Sequence, residues 1–174
     1  AIVTAGGTSK PELRFNDIAG GISGMHVITG SCPVFTDNNI TNSFDGILVQ
    51  SADIQMARNR ITGGTNGINL VSCSPNVTDT RIYDAKYGIK LSVSNSTVTN
   101  TTISHCSEYS VYSFGSSAFI QNSTTMAAVG ARDFYLSTSN VVALNTDLDT
   151  TKVDLSDTVS SLAVQWFMQA SIED

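Results

Sequence analysis

Apolar residues along this chain recur in short bursts. In each burst two or three apolar positions stand two apart with a variable residue between them, the alternation of a short strand with one buried face. One column of such positions runs Ile18, Ile40, Ile61, Ile82, Ile103, Met126 and Leu148, at spacings of 22, 21, 21, 21, 23 and 22 residues. The two residues before each are polar: Asn16-Asp17, Asn38-Asn39, Asn59-Arg60, Thr80-Arg81, Thr101-Thr102, Thr124-Thr125 and Thr146-Asp147. A second column reads Gly24-Met25-His26-Val27, Gly46-Ile47-Leu48-Val49, Gly67-Ile68-Asn69-Leu70 and Gly88-Ile89-Lys90-Leu91, with weaker copies at Ser110-Val111-Tyr112-Ser113 and Asp133-Phe134-Tyr135-Leu136. A third, less regular, contains Leu13, Val34, Ile54, Val77, Val98, Ile120 and Val142.

Each unit of about twenty-two residues therefore holds three short strands separated by Ser, Asn, Gly and Asp turns. This period predicts an all-β fold, a right-handed parallel β-helix of about seven rungs over residues 1–155. A leucine-rich repeat would need regular Leu and Asn spacing and a return limb, and a propeller blade needs about forty residues. Helical repeats fail because no segment shows a 3.6-residue period and β-branched residues dominate. At about 4.8 Å per rung the rod would be about 34 Å long. Asn16, Asn38 and Asn59 are candidates for a stacked, hydrogen-bonded ladder. At the ends, Ile2 and Val3 suit an opening half-turn, and Val153 and Leu155 an eighth strand. Residues 156–174 form a separate C-terminal segment in which Leu162 to Ile172 alternate at period two. It either caps the helix, with Trp166 covering the last rung, or leads into a further domain.

Composition fits a solenoid that coats itself with neutral polar groups. The chain has 23 Ser, 20 Thr and 13 Asn but only 14 % charged residues. A net charge of −6 with 9 Lys and Arg argues against a nucleic-acid partner or a membrane-surface helix. No apolar run reaches the eighteen or more residues of a membrane span. Cys32, Cys73 and Cys106 form no C-x-x-C motif and read as small buried hydrophobes, with one disulfide at most. His26 and His105 fall on different strands, and His26, between Met25 and Val27, should point outward. No metal ligand set and no cofactor site are assigned.

The dense charge cluster comprises Asp37, Asp53, Arg58, Arg60, Asp79, Arg81, Asp84 and Lys86. In the repeat register Arg58 lies over Asp79 and Arg60 over Arg81. As exposed ion pairs these groups contribute little each. As a convergent set, Arg58, Arg60, Asp79, Arg81, Asp84 and Lys86 are the candidates for holding a saccharide. No carboxylate pair recurs at one column of neighbouring rungs, as acid–base hydrolysis of a glycosidic bond would want, so the balance is against catalysis. N-x-[ST] sequons occur at Asn39, Asn76, Asn95, Asn100 and Asn122, with those at Asn76 and Asn95 expected in turns, and they favour an extracellular location. Between residues 88 and 131 the charged side chains are Lys90 and Glu108. There Tyr109, Tyr112, Phe114 and Phe119 either fill an irregular part of the core or form a contact face for sugar or a neighbouring subunit.

The units from Gly46-Ile47-Leu48-Val49 through Asn59-Arg60-Ile61, and the two after them, resemble the repeats of the NosD-like β-helix family. That family includes periplasmic copper-related proteins and carbohydrate-binding or sugar-hydrolysing modules, and similar repeats occur in secreted archaeal surface proteins. The run Ser160-Ser161-Leu162-Ala163-Val164-Gln165-Trp166-Phe167 is similar to the segment that leads such repeats into further extracellular modules. The resemblance implies a fold and leaves activity open, because β-helices host unrelated functions. The expectation is a secreted or cell-surface solenoid with a structural, adhesive or assembly role, associating with itself or with other surface proteins. The alternative is a carbohydrate-binding or polysaccharide-processing module.

Overall fold

The computed structural model describes residues 2–4, 11–29 and 33–167. Every circuit of the chain lays down up to three short strands, and equivalent strands of successive circuits pair in parallel into three sheets. The first sheet has eight strands: Ile2–Thr4, Ser23–Ile28, Asp45–Gln50, Asn66–Val71, Tyr87–Ser92, Tyr109–Phe114, Arg132–Ser137 and Val153–Leu155. The second also has eight: Glu12–Arg14, Val34–Thr36, Gln55–Ala57, Asn76–Thr78, Asn95–Thr99, Ser117–Gln121, Asn140–Leu144 and Ser161–Gln165. The third has seven: Asp17–Ala19, Asn39–Thr41, Arg60–Thr62, Arg81–Tyr83, Thr102–Cys106, Thr124–Ala127 and Asp147–Leu148. The chain is an all-β, right-handed parallel solenoid of about seven turns.

Three corners bend each rung, and a residue in the left-handed region recurs at all three. Between the second and third sheets this column is Phe15, Asp37, Arg58, Asp79, Asn100, Asn122 and Asn145. Asp and Asn predominate because their short polar side chains tolerate this conformation better than others.

One residue beyond that corner, side chains turn inward and stack. Asn16 Nδ2 donates to Asn38 Oδ1 at 2.8 Å, and Asn38 Nδ2 to Asn59 Oδ1 at 3.0 Å. This is the amide ladder the sequence predicts. Hydroxyls continue the column: Thr80 N–H donates to Thr101 Oγ1, and Thr101 N–H to Ser123 Oγ. A second hydroxyl ladder at the corner after the first sheet links Cys73, Ser94, Ser116, Ser139 and Ser160. These ladders satisfy corner amides that the strands leave unpaired, each net bond contributing about 0.5–1.5 kcal/mol.

The aliphatic column holds through Ile18, Ile40, Ile61, Ile82 and Ile103, which pair in register. Ile103 then pairs with Thr125, and Thr125 with Leu148. Met126, expected inside, is 56 % exposed, while Thr125 is fully buried. Thr101–Ser123 hydrogen bonding two residues upstream fixes this register, so ladder geometry outweighs side-chain hydrophobicity. The third column also shifts. Phe35, Met56 and Ala143 are its inward members, and Val34 and Val142 lie half-buried on the outer face. A slip of one residue exchanges the faces of a strand.

At the C-terminal end, Ser161–Gln165 continues the second sheet on Asn140–Leu144, with Leu162 packed against the core. Trp166 and Phe167 are 59 % and 63 % exposed. The rest of the expected long strand, from Met168, lies outside the described residues, as does Cys32. Ile2–Thr4 pairs with Ser23–Ile28, in keeping with an opening half-turn. Cys73 and Cys106 are free and buried, and burial pushes the Cys106 thiol up to about 12. No helix among the described residues is long and apolar enough to cross a membrane.

Candidate contact face

The outer surface of the first sheet carries four tyrosines. In this sheet Tyr87 pairs with Tyr109, and Tyr112 with Tyr135. Both pairs face outward although only two residues separate Tyr87 from Lys90 and Tyr109 from Tyr112. Buried Gly88-Ile89 and Ser110-Val111 break the alternation between them and turn the flanking side chains to the same side.

The rings touch one another. Tyr112 and Tyr135 stack with centroids 4.8 Å apart and planes 5° from parallel, and Tyr109 meets Tyr135 at 5.2 Å and 52°. Tyr87 and Tyr109 stack at 6.0 Å. Lys90 Nζ sits 5.7 Å from the Tyr87 centroid and 5.6 Å from that of Tyr112, within cation–π range. At the edge, Lys86 Nζ pairs with Glu108 Oε2 at 2.9 Å, and the Tyr87 hydroxyl donates to Glu108 Oε1 at 2.8 Å. Hydrogen bonding from Lys86, then from Tyr87, lowers the Glu108 carboxyl. Partial burial raises the Tyr87, Tyr109 and Tyr112 phenols, so these three stay protonated at neutral pH. Beside them Phe114 is 49 % exposed. The face is aromatic and bordered by Lys86, Lys90 and Glu108. It offers ring surface and hydroxyl donors, the chemistry of interface hot spots.

Tyr109, Tyr112 and Phe114 therefore do not fill the core. Phe119 lies elsewhere, half-buried on the second sheet, where a shallow groove is lined by Asn95, Ser117, Phe119, Asn140 and Val142. The sequence reading missed Tyr87 and Tyr135. Their signal is spacing: Tyr87 stands 22 residues before Tyr109 and Tyr112 stands 23 before Tyr135, one rung each.

The expected saccharide residues are spread around the rod. Arg58 and Asp79 occupy the corner between the second and third sheets. Arg58 is committed to Asp37, with Nε to Oδ1 at 2.7 Å and Nη2 to Oδ2 at 2.8 Å, and this hydrogen bonding lowers the Asp37 carboxyl. Asp79 accepts from Asn100 Nδ2 at 3.3 Å. Arg60 and Arg81 are paired neighbours on the third sheet, and the Arg60 guanidinium lies 5.9 Å from the Tyr83 ring centroid. Asp84 sits exposed on the next corner, and Lys86 belongs to the tyrosine face. Arg58 does border one shallow groove on the second sheet, with Arg14, Gln55, Asn76 and Thr78.

Asn76, Asn95, Asn100 and Asn122 are exposed, and Asn39 is half-buried with its amide donating to Asp17. Asn76 and Asn95 begin strands of the second sheet, where the sequence reading expected turns. His26 does point outward, its Nε2 2.9 Å from Gln50 Oε1.

A family model described as a right-handed beta helix region matches residues 1–148. No curated protein matches the chain. Among solved structures, that of QnrB1, a plasmid-mediated fluoroquinolone resistance protein, is 12 % identical, with 84 % of this chain and 90 % of that one covered and a TM-score of 0.23. That likeness is too weak to bear on fold or function.

Proposed function

Because this chain belongs to the right-handed β-helix family, we propose that it is a structural and adhesive subunit of the cell exterior that associates through its tyrosine face. The observation that carries this reading is the outward cluster of Tyr87, Tyr109, Tyr112 and Tyr135, held ring against ring on a rigid sheet. Aromatic rings fixed before contact lose little entropy on binding, which favours their use as anchors. The rod's continuous ladders and core make it a stiff spacer between contacts. Its resemblance to NosD-like repeats of secreted archaeal surface proteins supports the exterior location, as do the four exposed sequons. Intact mass of protein from its native source tests that location. Glycan mass lost on Asn76→Gln or Asn95→Gln supports it, and an unmodified mass removes the support.

Sedimentation over a range of protein concentration tests the association. Wild type is expected to form dimers or larger assemblies, and Tyr109→Ala/Tyr112→Ala to weaken them about tenfold or more, an anchor-sized loss. A second reading, saccharide binding in the groove beside Arg58, rests on that groove's polar lining. It expects a strict monomer retained on a polysaccharide column, released by Arg58→Ala and indifferent to the tyrosine variants.

A further inference from the structure

We propose that the tyrosine face is a site of oxidative cross-linking, in which Tyr135 becomes joined through a carbon–carbon bond to Tyr109 or Tyr112 of the same chain. The inference stands apart from the adhesive reading, since it needs no partner. Tyr135 is the shared member of the two shortest ring contacts, 4.8 Å to Tyr112 and 5.2 Å to Tyr109. Tyr109, Tyr112 and Tyr135 are partly exposed on the outer face, so an outside oxidant reaches their rings. The 52° tilt of the Tyr109–Tyr135 pair already approaches the twisted arrangement of a biaryl. Among the described residues the thiols that would intercept the oxidant are withdrawn: Cys73 and Cys106 are buried, and burial raises both.

The step balances with hydrogen peroxide and a haem peroxidase as oxidant. Each phenol gives up one electron to the peroxidase and its hydroxyl proton to solvent. The two phenoxyl radicals couple at the ring carbons ortho to oxygen, and each carbon then loses its hydrogen as a proton while the phenol reforms. Two phenols and one peroxide thus yield one biaryl and two waters. The product would be a covalent tie between adjacent rungs, which are otherwise joined side to side by hydrogen bonds and packing.

Trypsin separates the partners, because cleavage after Lys90, Arg132 and Lys152 leaves Tyr109 and Tyr112 in 91–132 and Tyr135 in 133–152. Dilute protein treated with peroxidase and peroxide should yield these two peptides joined, lighter than their sum by two hydrogens, together with dityrosine fluorescence. Tyr135→Phe should abolish the joined peptide, and Tyr83→Phe, on the third sheet, should leave it. Should Tyr135→Phe fail to fold, Tyr109→Phe/Tyr112→Phe must abolish the product equally. Absence of dityrosine, a product found only in concentration-dependent dimers, or a joined peptide surviving in Tyr135→Phe overturns the proposal.

Discussion

Gly67 shows how closely single residues are fitted. A Cβ there would stand 2.5 Å from Ile82 Cγ2 and 2.6 Å from the Gly88 carbonyl oxygen of the next rung. Neither neighbour can yield, one being a packed core side chain and the other backbone. Gly67→Ala is therefore expected to destabilise by about 1–3 kcal/mol, the usual cost of overpacking, read as a lowered denaturation midpoint. An unchanged midpoint would contradict the fit. Two rungs on, Ser110 replaces the glycine where the facing isoleucine gives way to Thr125. At the same scale Asn38 sits inside a chain of amides, its Nδ2 donating both to Asn59 and to the Leu13 carbonyl. Buried amides of this kind are stable only while fully paired.

Elements here are too short to be stable alone, and each gains its hydrogen bonds from the rungs on either side. The last rung has a neighbour on one side among the described residues and is tied by Asp157 instead. Its carboxylate accepts from the N–H groups of Thr138, Val159 and Ser160. Hydrogen bonding from Ser160, then from Thr138, lowers this carboxyl from 3.8 to about 2. A carboxyl lowered by folding stabilises the fold above its unfolded value and ceases to do so as pH falls through its folded value. Amides of 153–165 should thus lose exchange protection, relative to the central rungs, between about pH 4 and pH 2. Asp157→Asn should show weaker protection already at neutral pH and converge on wild type in acid; a variant indistinguishable from wild type at neutral pH would contradict the tie. Element type and order were legible in the sequence, because the alternation and the Asn-Thr turn signature repeat in every unit. Register was legible only where side chains repeat. Ile40 to Ile103 recur and were placed correctly, whereas in the next rung Thr125 rather than Met126 pairs with Ile103, a register tied to the Thr101–Ser123 hydrogen bond that hydrophobicity alone does not expose. The contact face was half legible. Tyr109 and Tyr112 drew notice by composition, but Tyr87 and Tyr135 join them only once the rungs are wound on one another. The charge cluster is dispersed for a related reason: closeness along a solenoid chain carries residues around the rod onto different faces.

For the whole molecule, nearly all packing is between neighbouring rungs, so rigidity along the axis accumulates turn by turn. A stiff rod with one aromatic face is what the adhesive reading requires. The claim on which everything rests is that residues far apart in sequence stack at rung spacing. Phe15, 79 % exposed, and Asn145, also exposed, stand on the same corner column six rungs apart. Spin labels at these two positions measure that column directly. A single narrow distance corresponding to a Cα separation of about 29 Å is predicted, from six steps of about 4.8 Å. A broad distribution, or a separation far from that value, would contradict the stacked coil.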